Sequence, residues 1–179
     1  MKVPLQKDIS KVHPEDFPRV LEVWKASVRA THHFLSEADI QFFKPLIPDE
    51  ISHVAELVCV RDSAGQVAGF VGIEDDKIEM LFIHPMWRGQ GVGSRLVRYA
   101  VKELDAVLVD INEQNEQAVG FYLRMGFEAE GRSELDSTGK PFPLLHMRLI
   151  DLAGGPSCGR RAVIGGSIES TSASSSANR

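Results

Sequence analysis

The sequence predicts an α/β domain in which a central sheet carries helices on both faces. Three observations lead there. Segments with helical hydrophobic spacing and segments with strand character follow one another up to about residue 150. Two strand candidates, residues 54–60 and 67–73, are almost continuously apolar, as strands covered on both faces are. A further strand candidate, ending at His84, runs into a glycine-rich turn that opens a helix.

Residues 5–12 suit a first strand. Phe17, Val20, Leu21, Trp24 and Val28 then recur at helical spacing, with Glu15, Asp16, Glu22, Lys25 and Arg29 mostly on other faces. Pro14 fits the start of that helix, because an early helical position needs no backbone donor. Ser36 is placed to cap a second helix through Ile40, Phe42 and Phe43, with Glu37 and Asp39 at its positive end. Pro45 and Pro48 predict an irregular end to it.

Residues 54–62, 66–75 and 77–84 read as three strands, turned by Ser63-Ala64-Gly65 and Asp75-Asp76. After Gly93, the stripe Leu96, Val97, Ala100, Val101 and Leu104 predicts a helix, and residues 106–111 return to strand. Another helix fits residues 116–125, closed by Gly126. Two last strands occupy residues 127–136 and 142–149.

The composition excludes several classes. The 179 residues are 43% hydrophobic and 25% charged, which suits a packed globular domain rather than disorder or a coiled coil. No segment approaches the roughly 20 apolar residues of a membrane span, and no apolar stretch follows Met1-Lys2-Val3-Pro4 as in a secretory leader. No membrane partner is expected. A net charge of −5 disfavours a broad duplex nucleic-acid surface, although a local phosphate site stays open. Cys59 and Cys158 form neither a metal cluster nor a disulfide framework, and Cys59 sits in an apolar run as an inert core residue. A reducing cytoplasmic location is the expectation. From residue 151 the chain becomes rich in Gly and Ser, so the predicted domain spans residues 1–150 and residues 151–179 read as a flexible tail.

The sharpest local signal runs from Leu81 to Ser94: a strand, the turn His84-Pro85-Met86-Trp87-Arg88-Gly89-Gln90-Gly91-Val92-Gly93, and a helix. Successive N–H groups at a helix start, with the helix dipole, form a cradle for an anion. Gly91 and Gly93 permit close backbone approach to phosphate oxygens, and Arg88 adds a charge-assisted contact or is a solvated loop residue. The Gly-Lys-Ser or Gly-Lys-Thr ending of an ATP loop is absent, and the segment does not open the chain as a dinucleotide-binding unit does. ATP hydrolysis and nicotinamide chemistry are therefore disfavoured.

Arg88-x-x-Gly91-x-Gly93 resembles the coenzyme signature of the GCN5-related N-acetyltransferase (GNAT) superfamily. Asn115-Glu116-Gln117-Ala118-Val119-Gly120-Phe121-Tyr122-Leu123-Arg124-Met125-Gly126-Phe127 is similar to its late asparagine, helix and aromatic pair. The resemblance covers most of residues 1–149, and residues 24–35, 112–127 and 131–145 resemble a bacterial subgroup labelled YjaB-like. It implies a mostly antiparallel mixed sheet flanked by helices, with the fourth and fifth strands splayed at an acetyl-coenzyme A site. It also implies transfer of acetyl to an amine-bearing acceptor by direct attack on the thioester.

By that resemblance the coenzyme arm follows the strand through Phe82 and Ile83, and the pyrophosphate meets Arg88, Gly89, Gln90, Gly91, Val92, Gly93 and Ser94. Asn115 contacts the arm, caps the next helix, or does both. Tyr122 matches the position from which the family protonates the departing thiolate, and aromatic packing is its other reading. Glu79 is the candidate base, or an exposed or paired surface carboxylate. Strict alternation places Glu79 with Leu81 and Ile83, and a bulge would change that. His84 is a base candidate by residue type, or simply ends its strand.

Trp24, Ser27, Thr31, His32 and Phe34 match the segment that covers the acceptor pocket, and Asn112, Glu113 and Arg132 are further polar candidates. Adjacent His32 and His33 lack further ligands for a metal, so none is expected. Monomer and homodimer are both compatible with the sequence. Two other functions stay open: a coenzyme-binding regulator with little catalysis, and an acyltransferase using another acyl-coenzyme A or an alcohol acceptor.

Overall fold

The structure, a computed structural model, describes residues 4–151. The proposed tail from residue 152 onward lies outside the described residues. Seven strands form one sheet: β1 (Leu5–Lys11), β2 (Glu56–Asp62), β3 (Val67–Glu74), β4 (Lys77–Ile83), β5 (Leu108–Asn112), β6 (Phe127–Ser133) and β7 (Leu144–Leu149). Their order is β1-β2-β3-β4-β5-β7-β6, and every neighbouring pair is antiparallel except β4 with β5. Among the described residues five α-helices flank it: α1 (Phe17–Thr31), α2 (Glu37–Phe43), α3 (Ile47–His53), α4 (Val92–Glu103) and α5 (Glu116–Met125).

The near-continuous apolar strands are covered on both faces, as expected. Val58, Val60, Val71 and Ile78 join a core with Leu96, Val97 and Ala100 of α4 and Tyr122 and Met125 of α5. On the opposite face Cys59, Phe70 and Met80 pack with Val20, Val23, Trp24 and Val28 of α1 and with Ile40, Ile47 and Ile51. Cys59 is fully buried and free, and burial pushes its thiol pKa up, so it is an inert core residue. Among the described residues no helix is long and apolar enough to cross a membrane.

Helix boundaries follow local chemistry. Pro14–Asp16 form a 3-10 turn ahead of α1. Ser36 caps α2 by accepting from the Asp39 N–H at 3.2 Å, while Asp39 accepts from the Ser36 N–H at 3.0 Å. The prolines after α2 do not end in irregular chain: Pro48 sits in the first turn of α3, where its missing N–H costs nothing, and Asp49 and Glu50 favour that helix start. Among the described α-helices, α3 is the one the sequence reading missed.

Arg61 on β2 makes a forked ion pair with Asp16, at 2.7 and 2.8 Å, with both side chains largely buried. The Arg61 hydrogen bonds hold the Asp16 carboxyl at about 2, below its ordinary 3.8. A depressed carboxylate stabilises the fold above the unfolded-state pKa and loses that contribution as pH falls through the folded value. The pair is therefore expected to contribute roughly 2 kcal/mol above pH ~4, vanishing toward pH ~2. Acid titration of denaturant midpoints in wild type and Asp16→Asn checks this: the acid-labile component should be absent from the variant.

Two irregularities shape the site. β4 and β5 pair only at Lys77↔Leu108 and Ile78↔Val109, and beyond them the strands splay, as the resemblance implied. On β4 the pairing passes from Gly72↔Met80 to Ile73↔Ile78, which leaves Glu79 as the extra residue of a bulge. Ile78, Leu81 and Ile83 therefore join the α4 core, while Glu79 turns to the face of Met80 and Phe82. Strict alternation, which grouped Glu79 with Leu81 and Ile83, is corrected by the bulge.

Candidate active site

The splay opens a cleft of about 350 Å³. Phe82, Ile83, Arg88, Gly89, Gly91, Val92, Gly93, Ser94, Asn115 and Tyr122 all line it. Gln90 does not line the cleft; its side-chain amide donates to the Met86 carbonyl at 2.9 Å. Ser27 and Thr31, expected at the acceptor pocket, instead reach the cleft from the end of α1.

The cleft mouth is an anion site by construction. Gly91 caps α4 in the left-handed region at φ +78°, where a side chain is strained. The Arg95 N–H donates to the Gly91 carbonyl at 3.0 Å, and the N–H groups of Val92, Gly93 and Ser94 precede that bond without helical acceptors. A Cβ on Gly93 would lie 3.4 Å from the Phe121 ring, an ordinary contact distance, so Gly93 packs against α5 without the helix approach depending on a missing side chain. Arg88 is held at the rim by Gln117, a partner the sequence reading did not single out.

Tyr122 lies deeper, 4% exposed, with its ring edge-on to Phe121 and Phe127 at 5.1 and 5.3 Å. Burial pushes its hydroxyl pKa up, so the group stays protonated at neutral pH. Asn115 is buried and accepts the Ala118 N–H at 3.2 Å, which leaves its side-chain NH₂ as a donor. Along β4, the His84 N–H donates to Ala68 on β3 at 2.9 Å, and the register continues through Phe70↔Phe82. Antiparallel bonding alternates, so the N–H groups of Leu81 and Ile83 point the other way, into the splay.

A second pocket of about 250 Å³ lies on the α1 face of the sheet. Trp24, His32, Phe34 and Asn112 line it, together with the candidate base Glu79 and with Phe43, Phe142, Glu50 and Asp136. Glu50 comes from α3 and stands at the open side of the pocket, while packing on its inner side and the nearby Glu79 push its carboxyl pKa up. Glu79 pairs with Lys77 at 3.1 Å, and Lys77 also binds Asp110 at 2.8 Å. Burial opposes the charge on Asp110, yet Lys77 and His146 hold its pKa down. A Lys140–Asp39 ion pair of 2.8 Å ties the β6–β7 loop to α2 beside the pocket.

The remaining candidates stand apart from both cavities. His33 lines neither, His84 Nδ1 accepts from the Met86 N–H at 3.3 Å, and Glu113 and Arg132 pair with each other at 2.8 Å. Among the described residues no group of His, Cys, Asp and Glu is placed to hold a metal ion.

Among the described residues the mixed sheet splays at its parallel pair, with a glycine-capped helix start at the opening, the arrangement that the resemblance to acetyl-coenzyme A-dependent acetyltransferases implied. Residues 32–150 match the acetyltransferase (GNAT) domain family, and the chain belongs to it. It is similar to the peptidyl-lysine N-acetyltransferase YjaB of Salmonella typhimurium, 40% identical over 140 residues, covering 78% of this chain and 96% of that protein. The Escherichia coli protein of the same name is 37% identical over 142 residues, covering 79% and 96%. The solution structure of apo-form YjaB from Escherichia coli superposes with a TM-score of 0.73 over 80% of this chain and 97% of that one. The GNAT and YjaB-like resemblance read from the sequence is borne out.

Acetyl-coenzyme A fits the residues present: the open N–H groups of α4 and Arg88 suit its pyrophosphate, and the splayed edge of β4 suits an extended amide-bearing arm. Gly91→Ala is expected to weaken acetyl-coenzyme A binding by up to about tenfold, because a left-handed non-glycine residue costs about 1–2 kcal/mol that the free cap can relieve by relaxing and the coenzyme-bound cap cannot. Calorimetry on the folded variant checks this. An unchanged Kd would mean that the cap conformation does not serve the coenzyme.

Proposed function

We propose that this protein moves the acetyl group of acetyl-coenzyme A to a primary amine, and that a lysine side chain is the acceptor class. The observation that carries the reading is the meeting of the two cavities: His32 and Phe82 line both the coenzyme cleft and the second pocket. An acetyl group at the inner end of one is thereby in reach of a nitrogen in the other. Glu50, Glu79 and Asp136 favour a cationic acceptor, and the rings of Trp24, Phe34, Phe43 and Phe142 suit its aliphatic stem. The relatives named peptidyl-lysine N-acetyltransferases support the same class.

Each residue then has a task. Arg88, Gly89 and the backbone of Gly91 to Ser94 hold the pyrophosphate, and Asn115 donates to the arm. The Ile83 N–H meets the thioester oxygen as negative charge develops on it. Glu79 takes a proton from the ammonium so that its lone pair becomes nucleophilic, and Tyr122 protonates the departing sulfur. The bound coenzyme supplies the activated acetyl carbon.

A turnover screen over amines and lysine-bearing peptides, with mass detection of products, tests the reading. Acceptor-dependent release of coenzyme A with an acetylated amine is expected. Coenzyme binding without turnover on any acceptor favours a regulatory binding protein, and acylated alcohols or longer acyl products favour a different acyltransferase.

A further inference from the structure

An ammonium acceptor sheds two protons before it becomes a neutral amide: one to free its lone pair, and one after the C–N bond has formed. Glu79 answers for the first. We propose that His32 is a catalytic residue that answers for the second, its Nε2 accepting the proton of the newly bonded nitrogen. The inference rests on the amine-acetylation reading and adds a second base to it.

Position comes first. Of the two residues shared by both cavities, Phe82 has no proton-accepting side chain and His32 has one. The ring is also oriented. Thr31 Oγ1 donates its single hydrogen to the Ser27 carbonyl at 2.9 Å, so in its 2.7 Å contact with His32 Nδ1 it is the acceptor. Nδ1 therefore carries the hydrogen, and a hydrogen bond to the Val28 carbonyl favours a proton on the ring. Nε2 is left with a free lone pair, and Phe34 packs against the ring at 5.3 Å.

Charge then sets when the ring can act. Burial, with His33 and Arg88 nearby, holds the ring pKa at about 4, so the imidazole waits neutral. Arg124 lines the coenzyme side, and Glu50, Glu79 and Asp136 line the acceptor side. Pyrophosphate on Arg88 offsets the smallest of the effects that oppose protonation, while burial, the largest, keeps the ring neutral until the reaction delivers a proton.

The step balances. The amine lone pair bonds to the acetyl carbon and the carbonyl pair moves to oxygen. The N–H bond breaks, its proton passing to Nε2 and its electrons staying on nitrogen. The carbonyl re-forms as the C–S bond breaks toward sulfur, which takes the Tyr122 proton. Water carries the imidazolium proton back to the tyrosinate, and the first proton leaves Glu79 for solvent.

The test uses the full-length chain with acetyl-coenzyme A and a lysine-bearing peptide in single-turnover mode. His32→Gln keeps an acceptor oxygen but no basic nitrogen, and His32→Ala leaves room for imidazole. Both are expected to transfer acetyl about 10²–10⁴-fold more slowly, with acetyl-coenzyme A affinity largely retained. Added imidazole should restore part of the rate in His32→Ala alone. In the ligand-free wild type, ¹⁵N spectra of the His32 ring near neutral pH should show the neutral form protonated at Nδ1. A wild-type rate in His32→Gln, no rescue by imidazole, or a ring protonated at Nε2 would each overturn the role. Absence of product from wild-type protein would overturn the amine-acetylation reading, and His32 as a base with it.

Discussion

Tyr122→Phe is expected to slow acetyl transfer by about 10²–10⁴-fold, the usual range for a positioned acid, while fold and coenzyme affinity stay nearly intact. The substitution removes one hydroxyl and keeps the ring that packs edge-on against Phe121 and Phe127. Burial keeps that hydroxyl protonated, which is the state a leaving-group acid must bring to the reaction. The rate has to be read in a pre-steady-state experiment, since slow product release can hide a chemical defect. A near-wild-type chemical rate across the pH range would remove Tyr122 from the acid role. Loss of folding and binding together would show instead that the hydroxyl is structural.

Glu79→Gln is expected to lower transfer to a lysine peptide by about 10²-fold or more at neutral pH, where the acceptor arrives as an ammonium. The amide keeps the size of the side chain and can still accept from Lys77, which holds Glu79 at 3.1 Å. It cannot take a proton. The sign of the pH dependence follows: as pH rises toward the pKa of the acceptor, solution supplies the neutral amine and the defect should shrink. Rate against pH for both proteins on one acceptor decides this. A defect of equal size at every pH, or none, would assign the proton to another group.

How much of this was legible in the sequence depends on the range of the interactions. The coenzyme half was, because it is local: a strand, a glycine cap and a helix start lie within residues 81–94, and α5 follows its own N-cap, Asn115. The boundaries of α5 came out residue for residue, whereas residues 54–55, 134–136 and 142–143 lie outside the strands they were assigned to. Pairing frays rather than stops at one of these ends, where the Glu113 N–H still donates to the Pro143 carbonyl at 2.8 Å just beyond β5 and β7.

The acceptor half was much less legible. Its wall joins Phe43 of α2, Glu50 of α3 and Phe142 of the β6–β7 loop, positions brought together only by folding. α3 hides behind Pro45 and Pro48, which read as breakers until Pro48 is placed in a first turn with Asp49 and Glu50 behind it. The bulge at Glu79 leaves no local mark in the sequence, since it is set by how β4 pairs with β3. The role of His32 depends on two cavities meeting at one ring, which no spacing along the chain reveals.

Every role proposed above requires that the splayed cleft hold acetyl-coenzyme A with its thioester between β4, Tyr122 and the acceptor pocket. An experimental structure with a non-hydrolysable acetyl-coenzyme A analogue tests it most directly. The pyrophosphate is expected on the N–H groups of Val92, Gly93 and Ser94, the acetyl oxygen at the Ile83 N–H within about 3 Å, and the Tyr122 hydroxyl beside the sulfur position. A coenzyme bound elsewhere, or one whose acetyl group points away from Tyr122 and His32, would contradict it.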